Sequence, residues 1–391
     1  MPLQRFLANH PLNHFLKVPT TNILRMHDCS GVVQMNLEKI LKVAVRGGAS
    51  DIILKPGAPP RFRFQGDIIN LADGGDVSDQ LMQEWIGQIV PAHLKPKLQH
   101  LQDLDFAYTS TTSSRFRVNL FRQKQGYALV MRVINNHIRT MEELQLPKKL
   151  HSFADEKRGL ILVTGATGSG KSTTLASIIE KINSVKAAHI LTIEDPIEFI
   201  FKEKKSTINQ REIGIDTESF PAALRSALRQ NPDVILVGEL RDRETTETAL
   251  MAAETGHLVL STLHTLDAVE SMTRLMSYFP PHQHQSLRMM LSQTLKAVVS
   301  QRLVARMDGK GMVPALEILI ANEVVKETIL TAENFDILKD TIRTGRKTYG
   351  MQSFDQSLLE LYNAGIISGE EAISHASKKK DLELAMQGFE S

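Results

Sequence analysis

Residues 165 to 174 read GATGSGKSTT, and no other stretch constrains the fold as tightly. They follow the apolar run LILVT and lead into a helical pattern, which gives strand, glycine-rich turn and helix in the order that G-x-x-x-x-G-K-[ST] requires. Glycines let backbone amides close around a phosphate, Lys171 reaches its outer oxygens, Ser172 can ligate Mg2+, and the helix N-terminus favours negative charge. Gly165, Ala166, Thr167, Gly168, Ser169, Gly170, Lys171, Ser172 and Thr173 are therefore the expected nucleotide-binding set.

The same strand and helix begin a longer alternation. After GLILVTG come HILTIED, then SFPAALRSALRQ before DVILVGE, then ETTETALMAAETG before HLVLSTLHT. Buried strand runs separated by helices of this length imply right-handed crossovers and a mainly parallel sheet, so residues 159–280 are read as an α/β core. After Pro281 the pattern turns helical, with HQHQSLRMMLSQTLKAVVSQRLVAR the most periodic segment, and 281–391 is expected to be a helical region.

Upstream, residues 1–34 have three prolines and no sustained period, and read as a tail. Met26 and Met35 are both possible starts of translation. From Met35 an amphipathic helix, a Gly-Gly stop and a series of short strand-like runs predict a small α+β domain over 35–140, its last two runs forming a hairpin around RQKQG. The charged, Pro147-containing stretch 141–158 reads as a linker.

Composition adds exclusions. Formal charge is +2, from 46 basic and 44 acidic residues, so no large field draws the whole chain to nucleic acid or anionic lipid. The single cysteine, Cys29, supports neither an internal disulfide nor a four-cysteine zinc site and suits a reducing compartment. No apolar run approaches the roughly 18 residues of a membrane-spanning helix, so a cytoplasmic protein with only peripheral membrane contact is expected.

Four further places carry chemistry. In NPDVILVGELRD a strand leads to Glu239, where a P-loop ATPase places the carboxylate that orients or deprotonates water, while Gly238 stands where many such enzymes have a metal-linked Asp. The magnesium's carboxylate must then come from elsewhere, and TIEDPIEF offers Glu194, Asp195 and Glu198, unless these only cap a turn before Pro196. His257 and His264 flank one apolar strand seven residues apart, at roughly 3.3 Å per residue too far to share a metal. His264, at the carboxyl end, can sense a γ-phosphate or position water; His257 reads as structural. Arg63, Arg115, Arg117, Arg122 and Arg132 repeat in the N-terminal domain, suited to phosphate charge across a subunit boundary or simply to a strand surface.

GATGSGKSTT, TIEDPIEF, DVILVGELRDRET and ETGHLVLSTLHT resemble, in order and spacing, the Walker A, Asp box, Walker B and His box of type IV pilus motor ATPases of the PilT/PilU retraction group, within the secretion ATPase superfamily. SDIILKPGAPPRFRFQG likewise resembles the opening of that family's PAS-like N-terminal domain. The resemblance runs from about Met35 to Gly365. It implies a RecA-like ATPase core behind a PAS-like domain, and a homohexamer binding ATP and Mg2+ between domains. Glu239 would be the catalytic glutamate, Glu194 would assist at magnesium, and Arg117 and Arg132 would reach phosphates from a neighbouring subunit. Arg225, Arg229 and Arg241 would link moving domains to the site, or serve as salt-bridge scaffolding.

Two departures stand out. The family's AIRNLIRE motif is replaced around 321–343 by ANEVVKETILTAENFDILKDTIR, which leans toward a PilU-like or divergent member, and the tail has no counterpart. Extension and type II secretion motors usually add a longer N-terminal region and a four-cysteine zinc site, which one cysteine excludes, so retraction is favoured over extension or secretion. The implied partner is an inner-membrane pilus platform protein, met at the cytoplasmic face; whether a second retraction ATPase joins it is left open. A RecA-like nucleic-acid translocase would use the same sheet, but one Trp, five Tyr and a near-neutral charge give little sign of a stacking groove. A non-hydrolytic scaffold is disfavoured by the intact Lys171, Ser172 and Glu239.

Overall fold

The computed structural model describes residues 35–388 apart from 65, 72–74, 93, 101, 125 and 135–137; the expected tail, with Cys29, lies outside the described residues. Between residues 136 and 137 the chain divides into two compact units.

In the first unit, helix α1 (Leu37–Gly47) buries Leu37, Ile40, Leu41 and Ala44, one stripe at helical spacing. Asn36 caps its start by accepting from the Glu38 N–H, and Gly48, at φ 76°, ends it in the left-handed region that favours glycine. Strands β1 (Asp51–Leu54), β2 (Arg61–Phe64) and β3 (Asp67–Asn70), helix α2 (Asp79–Ile89), and strands β4 (Asp103–Thr109), β5 (Arg115–Gln123) and β6 (Gly126–Ile134) follow. The strands pair in the order β3-β2-β1-β6-β5-β4, each pairing antiparallel. Phe62 and Phe116 from the sheet, Ile40 and Leu41 from α1, and Met82 and Trp85 from α2 form one core. This is the α+β unit that the sequence indicates, and β5 and β6 form the expected hairpin, with Gln123 opposite Gly126.

The second unit begins with α3 (Lys148–His151) and then alternates strand and helix: β7 (Gly159–Thr164), α4 (Lys171–Val185), β8 (His189–Glu194), β9 (Thr207–Glu212), α5 (Phe220–Ala227), β10 (Val234–Val237), α6 (Arg243–Glu254), β11 (Leu258–Leu263) and α7 (Ala268–Ser277). There follow α8 (His284–Thr294), β12 (Leu295–Ala305) and β13 (Met312–Ile320), then α9 (Glu323–Thr331), α10 (Ile337–Thr344), α11 (Arg346–Tyr349), α12 (Phe354–Asn363), α13 (Gly369–His375) and α14 (Lys379–Met386). Among the described residues these strands form one sheet in the order β13-β12-β7-β11-β10-β8-β9, parallel throughout except for β13 at its edge.

The apolar runs are continuous because both faces of the sheet are covered. In β7, Leu160 and Leu162 enter one core with α5, α6, α7 and α8, while Ile161 and Val163 enter the other with α4. Ile178, Ile179 and Ile182 of α4 are fully buried there, each worth about 1.5–3 kcal/mol of transfer free energy.

Two expectations are corrected. The periodic segment after Pro281 is not helical throughout: α8 stops at Thr294 and β12 starts at Leu295, so the sheet extends well past residue 280. Val298, Val299 and Val304 favour the extended chain, and the apolar residues of β12, covered on both faces, cannot be told from those of a buried helix by periodicity alone. The stretch 141–158 is not a free linker either, because Met141, Leu144, Leu146, Leu150 and Phe153 pack into the same core as Ile161 and α4.

Candidate nucleotide site

The parallel sheet brings the carboxyl ends of β7, β11, β10 and β8 to one edge in that order, and the groups named from the sequence stand there. At the end of β7 the glycine-rich loop turns into α4. A side chain is barred at two of its positions. Gly165 has φ 147° and a Cβ on it would lie 2.4 Å from the Gln301 carbonyl oxygen; Gly170, the residue capping α4, has φ 87° and its Cβ would lie 2.7 Å from Gln301 Nε2.

Lys171 folds back over this loop, its Nζ donating to the carbonyls of Gly165 at 2.7 Å and Ala166 at 3.0 Å. Burial lowers its pKa, opposed by the carboxylates of Glu239 and Glu198. Neutral carbonyls are modest partners for a desolvated ammonium; phosphate oxygens with formal charge are better ones. Ser169 Oγ in the same loop is buried with no hydrogen-bond partner. Both features fit a loop shaped for an anion.

The loop opens on a cavity of about 490 Å³ lined by Lys171, Ser172, Glu194, Glu198, Glu239 and His264 among others. Glu239, just past β10, sits within a chain of contacts. His264 Nε2 lies 3.3 Å from its Oε2, Arg241 Nε lies 2.8 Å from the same oxygen, and His264 Nδ1 lies 3.5 Å from Thr167 Oγ1 in the loop. The tip of β11 thus bridges the phosphate loop to the carboxylate of β10. Arg241 also reaches Asp195, its Nη1 3.7 Å from Oδ2. His257, at the opposite end of β11, bonds through Nδ1 to the Ala252 carbonyl at 2.8 Å and belongs to the α6–β11 turn.

A side chain at Gly238 would be crowded. A Cβ there would lie 3.3 Å from the Ile193 carbonyl oxygen and 3.5 Å from both Glu194 Cα and the Phe220 ring, and the Thr262 hydroxyl donates to the Gly238 carbonyl at 2.6 Å. A buried carboxylate stands beside Gly238 on the adjoining strand. Glu194 ends β8, is buried, and accepts from Thr192 Oγ1 at 2.6 Å and Gln210 Nε2 at 3.3 Å; burial nevertheless pushes its pKa up to about 7.

Among the described residues no cluster of three metal-ligating side chains exists. The cavity does offer the hard-oxygen set that magnesium accepts beside phosphates and water: the Ser172 hydroxyl and one or two carboxylates, Glu194 foremost. A second cavity, of about 470 Å³, adjoins the other side of the loop, sharing Gly170, Thr173 and Leu303 with the first and adding Arg139, Arg306 and Met312.

Arg117 and Arg132 belong to the other unit, on β5 and β6, directly opposite each other. Like charges in that register are unfavourable. Asp51, a buried carboxylate on β1, offsets this with Arg132 Nε at 3.0 Å and Arg63 Nε at 3.7 Å, while Arg117 Nε lies 4.0 Å from Asp105. Arg225 pairs with Glu244 on the surface.

Sequence reasoning missed Gln301, Gln210 and the second cavity. The only signal for Gln301 was a polar Ser-Gln pair interrupting the apolar run LKAVVSQRLVA. The departure at 321–343 is now α9 and α10, whose outer faces expose Val324, Leu330 and Ile337.

Comparison with known proteins agrees with this geometry. The family model described as type II/IV secretion system protein matches residues 27–382. The type IV pilus ATPase PilU of Pseudomonas aeruginosa is 39% identical over 358 residues, which cover 91% of this chain and 93% of that protein. The type IV pilus retraction ATPase PilT of the same organism is 42% identical over 340 residues, covering 86% and 97%. A crystal structure of the pilus retraction motor PilT with bound ADP superposes with a TM-score of 0.82 at 42% identity, covering 90% of this chain and 99% of that one. With its phosphate loop, its Glu239 and His264 and its mainly parallel sheet, the chain is a nucleotide-binding P-loop ATPase that belongs to the type II/IV secretion system protein family, in the PilT/PilU group.

Proposed function

We propose that this ATPase hydrolyses Mg-ATP to drive retraction of a type IV pilus, working as a homohexamer at the cytoplasmic face of the inner membrane against a pilus platform protein. The observation that carries the enzymatic part is the row of strand ends in which Lys171, His264, Glu239 and Glu194 line one cavity. The retraction part rests on likeness to PilU and PilT over most of the length of both.

In this reading the loop amides and Lys171 hold the β- and γ-phosphates, and Lys171 exchanges its two loop carbonyls for phosphate oxygens. Ser172 and Glu194 would hold magnesium, in part through water, and the ion would supply charge neutralisation on the phosphates. Glu239 orients the attacking water and takes its proton. His264, hydrogen-bond distance from both Thr167 and Glu239, relays the state of the outer phosphate to that base. Arg117 and Arg132, paired outward on their own sheet, supply permanent charge to a neighbouring subunit's phosphates. The second cavity, adjoining Thr173, is of a size to take the nucleoside.

Deleting the gene, and restoring it as Glu239→Gln, tests the assignment through pilus length and twitching in the host. Long, static pili in both strains are expected. Loss of pili would make the protein an extension motor, and unchanged pili would point to a secretion cargo.

A further inference from the structure

We infer that Gln301, on β12, is a positioning residue that holds the phosphate loop in its nucleotide-ready shape; this rests on reading residues 165–173 as the phosphate site. Gln301 is 3% exposed, and its carboxamide is spent on the loop. Its Nε2 donates to the Ser169 carbonyl at 2.7 Å, and its Oε1 accepts from Thr174 Oγ1 at 2.7 Å. The first contact is within the glycine-rich turn and the second is in the first turn of α4. One side chain therefore ties together the two flanks of Gly170 and Lys171.

The consequence follows from peptide geometry. A trans peptide sends its C=O and N–H to opposite sides. With the Ser169 carbonyl held toward β12, the Gly170 N–H is turned away from Gln301, and Gly170 lines the cavity that Lys171 faces. The backbone of Gln301 acts on the loop as well, since its carbonyl oxygen occupies the space a Cβ on Gly165 would need. The support is rigid because β12 is registered on β7, Ser300 standing opposite Thr164 with their hydroxyls 2.9 Å apart.

A buried amide is costly unless its hydrogen bonds are made. A residue needed only to fill the core would be Leu or Met. Here each polar atom of the carboxamide has a partner, and both partners belong to the strand–loop–helix unit that binds phosphate.

The test uses the full chain, a fluorescent methylanthraniloyl-ADP titration and ATP turnover. Gln301→Met keeps the length of the side chain and removes both hydrogen bonds. Gln301→Glu keeps the acceptor for Thr174 and removes the donor to Ser169. Each is expected to weaken ADP affinity and raise KM for ATP by about tenfold, the worth of one to two such bonds, with kcat within about threefold. Thr174→Val should show a smaller loss that Thr174→Ser restores. The melting temperature without nucleotide should fall modestly, because the Ser169 carbonyl and the Thr174 hydroxyl lose their partners, and the rise in melting temperature on adding ADP should shrink as well.

A residue that merely packs would also lower the nucleotide-free melting temperature but leave the affinity of the folded protein unchanged; that result overturns the inference. Lys171→Ala separates the two readings. Normal affinity in Gln301→Met with weakened Lys171→Ala overturns the role of Gln301 alone, whereas normal affinity in both removes the phosphate site beneath it. Should Gln301→Met fail to fold, Gln301→Glu and Thr174→Val carry the same outcomes.

Discussion

Arg241 Nε lies 2.8 Å from Glu239 Oε2, on the same oxygen that His264 approaches at 3.3 Å. The carboxylate is thus held from two sides, and the bond raises the pKa of Arg241 above its ordinary value. Arg241 is more than half exposed, so the pair contributes little to stability; its effect is on where the carboxylate points. Arg241→Ala is expected to lower kcat roughly ten- to a hundredfold with little change in nucleotide affinity. Steady-state turnover beside a binding titration measures this, and a raised KM at unchanged kcat would contradict it.

Glu239→Gln keeps the shape of the side chain and removes its ability to take a proton. Nucleotide binding should persist while phosphate release falls by about 10²- to 10⁴-fold. Turnover near the wild-type rate would refute the base.

Lys171→Ala should act on the other quantity. Loss of a charge-assisted contact to phosphate is worth about 1.5–3 kcal/mol, so affinity for ATP and ADP should drop on the order of ten- to a hundredfold. Isothermal titration provides the check.

Glu317 on β13 gives stability a pH dependence remote from the chemistry. It is buried, accepts the Ala268 N–H at the start of α7 at 2.9 Å, and faces Asp267, Arg302 and Lys339. Burial pushes its pKa up to about 7 against the ordinary 4.5. The folded state therefore binds the proton more tightly than the unfolded chain, and the contribution of Glu317 is fully present below pH 4.5 and lost as pH rises through 7. Glu317→Gln should consequently stabilise the protein at pH 8 by up to about 3 kcal/mol relative to its effect at pH 5. Denaturant melts at both values test the sign, and equal effects would show that the carboxyl is solvated.

Gly238→Ala places a methyl group 3.3 Å from the Ile193 carbonyl oxygen, tighter than ordinary van der Waals contact. A loss of roughly 1–3 kcal/mol is expected, with reduced turnover because the displaced strand ends in Glu194. Melting and turnover should fall together; wild-type values of both would show that β8 and β10 can part freely.

Strands β7, β8, β10 and β11 were legible because each is a largely apolar run, and Gly165 to Lys171 could be placed on a strand-to-helix turn from spacing alone; β9, TINQRE, carries no such run and was not. Neither was the strand order. That His264 stands between the phosphate loop and Glu239 depends on β11 inserting between β7 and β10, a pairing among segments about a hundred residues apart that no local pattern encodes. β12 was lost to periodicity for a related reason: Leu295 to Ala305 mixes apolar residues with Lys296, Ser300, Gln301 and Arg302 in a pattern a helix could also carry, and only the sheet on either side of it decides the period. Gln301 went with it. The arginines of β5 and β6 were visible as residue types, but their mutual register and the buried Asp51 beneath them were not.

The bare backbone of Gly238 has one more consequence. Where a strand carries its own pair of acids, the distance between them is a covalent matter, settled within a few bonds. Here the two carboxylates come from different strands, Glu239 from β10 and Glu194 from β8, and what sets their separation is a line of amide hydrogen bonds such as Gly238 N–H to Ile193 C=O at 2.8 Å. With Glu239 and Glu194 in their proposed roles, the grip between two neighbouring strands is an element of the reaction centre, and apolar residues such as Leu191 and Ile235, which hold those strands in line, gain a share in the chemistry.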